Sequence, residues 1–295
     1  CKTVCLNAFG DLLCHDVIYP HPPQNEKVLS IQKISSLVEK YKIDAIAIGS
    51  GTASRETAAF IGKVPFSRDV EVYVVSEDGA SIYSASDVAR EEFPDYDLTV
   101  RGAVSIGRRL QDPLSELVKI DPKSLGVGQY QHDVDQSLLK KELDLTVESC
   151  VNLVGVSLNT ASPYLLQYVS GLGPSLAKNI YDYRVANGAF TSRSDLLKVP
   201  RLGPKAYQQC AAFLRIEGGK NALDNSAVHP EAYYIVDKMA ASLGLKAEQI
   251  VSNEEALNRL NPENFVDEKF GFPTVTDIIA ELLKPARDPR GKAST

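Results

Sequence analysis

The stretch "VSGLGP" at residues 169–174 returns thirty residues later as "VPRLGP" at residues 199–204. The matched pairs are Val169/Val199, Leu172/Leu202, Gly173/Gly203 and Pro174/Pro204. Each copy follows an apolar helical turn, "YLLQYV" or "DLLKV", and leads into a second helix-like run. Glycine admits the left-handed backbone angles of a sharp bend. Proline suits the first helical position, because its missing N–H would lack an intrahelical partner there anyway. The pattern predicts one helix, hairpin, helix unit used twice.

Such a unit has a chemistry. The first N–H groups of the second helix have no acceptor inside the helix, and they lie at the positive end of its dipole, so a phosphate fits there. Gly171 and Gly173 let a backbone approach closely. Lys178 stands one turn into the first of these helices, and Lys205 directly follows Pro204. The candidate nucleic-acid-binding set is Gly171, Gly173, Ser175, Lys178, Arg201, Gly203 and Lys205. Paired units can hold two phosphates of a duplex, and such contacts position a protein without reading bases. The competing reading is an αα-hairpin that only packs two helices.

Charge favours binding locally. The 295-residue chain carries a net −6, which argues against a uniformly basic binder. Residues 157–217, however, hold seven Lys or Arg (178, 184, 193, 198, 201, 205, 215) against three Asp or Glu, a local +4 that leaves −10 for the rest. The segment 151–218 is therefore expected to be a separable domain with most of the affinity.

The apolar and charged fractions, 44% and 24%, are those of a globular protein, and no run approaches a membrane span. Five scattered cysteines without a CxxC pair, and four isolated histidines (His15, His21, His132, His229), fit neither a disulfide framework nor a zinc site. A reducing, cytoplasmic setting is expected, with no metal or cofactor. The start "CKTVCLNAFG" lacks Met and opens inside an apolar pattern, so the chain reads as a fragment.

Toward the N-terminus, two β-rich runs flank a turn at Gly10-Asp11. A helix follows with Val28, Ile31, Ile34, Leu37, Val38 and Tyr41 on one face, then "IDAIAIGSG" as a buried strand, a helix near "SRETAAFI" and a second buried strand, "VEVYVVSED". A helix from about Arg101 to about Lys119 should be kinked or divided at Pro113. This order predicts an α/β layer fold. "DPKSLGVGQYQHDVD" reads as a loop before a helix around Leu138–Leu143. Only helices are expected beyond it: the repeat, one after "SAVHPEAYY", one after "SNEEAL" and one through "TVTDIIAELL". Pro285, Pro289 and "RGKAST" read as an exit linker.

The segments "IYPHPP", "IAIGSGTASRET", "EDGASIYSAS", "SIGRRLQDPLSELVKIDPKSLGVGQYQHDV", "SGLGP", "NALDNSAVHPE" and "KPARDPR", in this order, resemble the Tex family of bacterial transcription accessory proteins. The resemblance implies a multidomain chain: an α/β ribonuclease H-like domain of YqgF type over residues 1–120 with its first strand missing, a connecting loop and helix over 121–150, an all-α tandem helix-hairpin-helix domain over 151–218, and a C-terminal helical region and linker over 219–295. It also implies an N-terminal helical part and an OB-fold RNA-binding module outside this sequence. Nucleic acid is the implied partner, with the transcription machinery as a further one, and the chain is expected to be a monomer.

Ribonuclease H-like nucleases hold two metals between carboxylates of the first strand, a later strand and the last helix. The family's first-strand Asp would precede this chain, and Glu77 matches the later-strand acid. Gly102, beside Arg101, takes the last-helix place, where Arg101 would oppose a metal. Glu77 is thus a weak catalytic candidate, and no enzyme activity is expected. Glu56 reads as a first-turn helix acid, Asp112 as a cap before Pro113, and His132 as a loop residue. "GVGQYQHDV" lacks the Gly-Lys-Ser/Thr ending of a P-loop. A metal-dependent structure-selective nuclease and a protein-interaction scaffold remain the alternatives.

Overall fold

The computed structural model describes residues 1–285, and Pro289 and the "RGKAST" tail lie outside them. The chain packs as two units that divide at residues 143 and 144.

In the first unit, β1 (Lys2–Leu6) and β2 (Leu12–Val17) pair antiparallel. Their turn is held by the Asn7 side chain, whose Oδ1 accepts from the Phe9 and Asp11 amides at 2.9 Å each, and Gly10 supplies a φ of +81°. Then come α1 (Lys27–Tyr41), β3 (Ala45–Gly49), α2 (Ser54–Gly62) and β4 (Glu71–Val75), with β4 parallel to β3. Ile34 and Val38 of α1, Ile48 of β3 and Phe60 and Ile61 of α2 close one core. Two short helices, α3 (Ala80–Ser84) and α4 (Asp87–Glu92), precede α5 (Leu98–Gln111) and α6 (Pro113–Leu117). The division at Pro113 is as expected, with Asp112 capping α6 through its bond from the Ser115 amide (3.2 Å).

Two expectations fail here. Val28 is 71% exposed, because burial on α1 begins only at Ser30, beyond its first turn. β4 is not buried throughout. Val72 packs on the core, but Val74, on the same face by strand alternation, is 56% exposed, so the cover ends short of the strand's C-terminal end.

The second unit begins within α7 (Gln136–Val154), which is longer than the helix expected around Leu138–Leu143. The first hairpin joins α8 (Pro163–Leu166) to α9 (Pro174–Asn187). The second joins a 3-10 turn (Arg193–Lys198) to α10 (Pro204–Cys210). A strand pair that sequence periodicity did not signal, β5 (Val156–Ser157) and β6 (Leu214–Arg215), runs parallel and brackets both hairpins. Two residues are too few to show a period of two. The repeated valines are core: Val169 and Val199 are 2% and 3% exposed.

Beyond β6 lie α11 (Tyr233–Ser242), α12 (Ala247–Ile250), α13 (Glu254–Asn258) and α14 (Phe272–Leu283) around Ile235, Met239, Ile250, Leu257 and Leu282. Among the described residues no helix is long and apolar enough to cross a membrane. The five cysteines are free.

Candidate nucleic-acid interface

Both hairpins turn in the same way. Leu172 N–H bonds the Val169 carbonyl at 3.0 Å, and Leu202 N–H bonds the Val199 carbonyl at 3.2 Å. The residue before each leucine is left-handed: Gly171 at φ +82° and Arg201 at φ +65°. An asparagine from an earlier helix pins each tip. Asn152 of α7 donates to the Tyr168 carbonyl (3.2 Å) and accepts from the Ser170 amide (3.0 Å), while Asn179 of α9 donates to the Pro200 carbonyl (3.0 Å). Neither asparagine could be singled out from sequence, since each acts on backbone about twenty residues away.

The glycines differ in a way the repeat concealed. Gly173 sits at φ +150°, ψ 178°, an angle pair that other residues adopt at a cost, with open space where a side chain would project. Gly203 has φ −89°, ψ −175°, which any residue adopts, so the expectation that its bend requires glycine is corrected. Gly171 is packed: a Cβ there would stand 2.5 Å from the Gln209 Cβ and 3.3 Å from the Ala206 carbonyl. It serves contact between the hairpins and does not open the first tip to a ligand backbone.

At the start of α9 the first helical N–H to find its acceptor belongs to Ala177, which bonds the Gly173 carbonyl at 2.9 Å. Pro174 has no N–H to offer, and no side chain caps the helix, which leaves the amides of Ser175 and Leu176 as its N-terminal donors. Ser175 and Lys178 are exposed beside them. The 14 residues of α9 carry a fuller dipole than the 7 of α10, so the two helix starts differ as candidates for an anion.

The local +4 overstates the surface charge. Arg193 is 1% exposed. Its guanidinium donates to the carbonyls of Leu214 (3.0 Å), Leu223 (3.3 Å), Val228 (2.7 Å) and Ser226, and to the Tyr233 hydroxyl (2.8 Å). Arg184 donates to the Leu158 and Ala161 carbonyls, and burial holds it below its ordinary pKa. Burial lowers Arg215 as well, against the pull of Glu281 at 3.7 Å. Lys198 pairs with Asp195 at 3.2 Å. Lys178, Arg201 and Lys205 are left, all exposed, and none forms an ion pair among the described residues. The cations free to meet a ligand therefore lie on or just beyond the hairpin tips.

Similarity to known proteins agrees with this layout. Residues 1–111 match the Tex protein YqgF-like domain, residues 151–215 the helix-hairpin-helix motif, and residues 221–290 the HHH domain. The whole chain is 54% identical to the Transcriptional accessory protein Tex of Neisseria gonorrhoeae, covering 39% of that protein, and 54% identical to Protein YhgF of Escherichia coli K12, covering 38% of it. The chain belongs to the Tex family. It spans about two fifths of the length of these relatives. A more distant match, 47% identical over 221 residues, is the human S1 RNA-binding domain-containing protein 1, where 73% of this chain aligns with 22% of the relative.

In this Tex family chain Glu77 follows β4 and is exposed. Its carboxylate lies over the turn after β3: a Cβ on Gly51 would stand 1.8 Å from one oxygen, and one on Gly49 2.6 Å from the other. Two glycines thus make room for one acid. The α5 face that reaches this turn carries Ile106, 3.1 Å from the same Cβ position of Gly49. Gly102 and Arg109 share that face by helical spacing.

Arg101 does not stand beside Glu77 as expected. It is 8% exposed, and its guanidinium is spent on the Phe93 (3.0 Å) and Ser84 (3.3 Å) carbonyls. The cation that feels Glu77 is Arg109, which donates to the Ser76 (3.0 Å) and Asp78 (2.7 Å) carbonyls. Burial lowers its pKa, while Glu116, Asp78 and Glu77 raise it. Among the described residues no three metal-ligating side chains converge.

Proposed function

We propose that the chain binds nucleic acid without sequence preference, through phosphate contacts on its tandem hairpins, as part of a transcription accessory factor. The observation that carries this reading is the sorting of the cations. Of seven in the hairpin segment, three arginines are tied to internal partners and the exposed Lys198 pairs with its neighbour Asp195, which leaves Lys178, Arg201 and Lys205 exposed without an ion pair around the tips, beside the amides at the start of α9. The relative named as a transcriptional accessory protein supplies the cellular context. The five free cysteines suit a reducing cytoplasm.

The YqgF-like domain, on this reading, does not cleave its ligand. Two-metal displacement at phosphorus uses several converging carboxylates, and Glu77 lies over the turn after β3 in the field of Arg109.

Fluorescence anisotropy on unrelated labelled duplexes over a range of salt tests the binding surface. Lys178→Ala and Lys205→Ala should each weaken all sequences alike and reduce the magnitude of the log K against log salt slope by about one for each phosphate no longer neutralised. An unchanged slope in the folded double variant rejects the surface.

A further inference from the structure

The two hairpin tips are built alike and used differently. At the first, the left-handed place is Gly171, with α10 packed against it. At the matched place of the second stands Arg201, exposed, at φ +65°. An L-residue at that angle brings its Cβ against the following carbonyl, so glycine is the residue that the fold itself prefers there. The tip geometry gives no internal reason for the arginine. Its side chain makes no hydrogen bond or ion pair among the described residues, and the turn is already pinned by the Leu202–Val199 bond and by Asn179 on the Pro200 carbonyl. Lys205 is four residues along on the same exposed surface.

We infer that Arg201 is a recognition residue kept at a cost in stability: its guanidinium grips a phosphodiester of the bound strand, and the second tip, not the first, is the principal side-chain contact. This rests on the proposed nucleic-acid binding and deepens it. A guanidinium presents paired N–H donors that match two oxygens of one phosphate, a grip that the ammonium of a lysine does not reproduce. The first hairpin then contributes mainly the amides at the start of α9 and Lys178, because its tip is closed by Gln209 and Ala206.

The inference makes stability and affinity move in opposite directions, which a structural role does not. In the 295-residue chain, Arg201→Gly should raise the thermal midpoint by about 3 °C, the scale of one relieved backbone angle in a domain of this size. It should also weaken binding to a labelled DNA duplex about tenfold and lower the salt-slope magnitude by about one. Arg201→Ala keeps the strained angle, so its affinity should fall equally without the gain in midpoint. Wild-type affinity and slope in both variants, or a lower midpoint in Arg201→Gly, overturns the inference. If those variants bind normally while the Lys178→Ala, Lys205→Ala double variant has a shallower slope, only the role of Arg201 fails. If all of them bind as the wild type does, the nucleic-acid surface itself fails.

Discussion

Replacing Arg193 with methionine keeps most of the side chain's volume and removes a buried cation. The guanidinium joins β6 (Leu214) to the residues that lead into α11 (Leu223, Ser226, Val228 and Tyr233). Its own backbone N–H donates to Asp224 at 3.1 Å, and Tyr233 donates to the same carboxylate at 2.6 Å. The variant leaves five carbonyls, that of Ala212 among them, without their donor and Asp224, 3% exposed, without a nearby positive charge. Each unmade buried bond costs about 1–3 kcal/mol, partly offset by no longer burying a cation, so a net loss of about 3–5 kcal/mol is expected. That is a third or more of the stability of an ordinary domain.

Urea unfolding followed by circular dichroism measures it, and the second unit should still unfold in one transition, because the hub lies between its two halves. A piece ending at residue 218 should fail to fold cooperatively. It lacks Leu223, Ser226, Val228 and Tyr233 for Arg193, Glu281 for Arg215, and the His229 ring that meets the Gln208 carbonyl at 2.7 Å. This outcome is the opposite of the separable 151–218 domain expected from the local charge, and the experiment decides between them. A destabilisation under about 1 kcal/mol, or a folded 151–218 piece of native stability, refutes the reasoning.

Gly173→Ala should cost about 1–3 kcal/mol through its backbone angle, while Gly203→Ala should stay within about 0.5 kcal/mol. Nothing lies within 4 Å of either added Cβ, so urea midpoints isolate the angle, and equal destabilisation would contradict the assignment. The chain should leave linear and branched DNA and RNA intact with Mg²⁺ or Mn²⁺. Metal-dependent cleavage that disappears in Glu77→Ala, seen on a denaturing gel, would reject the non-cleaving reading.

Much of this was legible in the residues. Local rules decide where helices start and stop: Pro174 and Pro204 open α9 and α10, Asp112 caps α6 before Pro113, and Gly10 turns the first β-hairpin. Such features depend on neighbours a few positions apart, so a sequence carries them. Hydrophobic spacing likewise placed Ile34 and Val38 on the buried face of α1.

The sequence by itself thus determined most of the longer elements, their order and the doubled hairpin, but not the β5–β6 pair that brackets it. Tertiary structure decided which arginines stand exposed and which are girders. Arg193, Arg201 and Arg215 look equivalent in a charge count, yet one is buried among carbonyls 19 to 35 residues away, one stands free at a tip and one is paired with Glu281. It also decided that Gly171 is needed for packing, Gly173 for its angle and Gly203 for neither. The physical reason is the same throughout. Whether a charge is solvated or a Cβ has room depends on groups brought close from distant parts of the chain, and no local pattern records them.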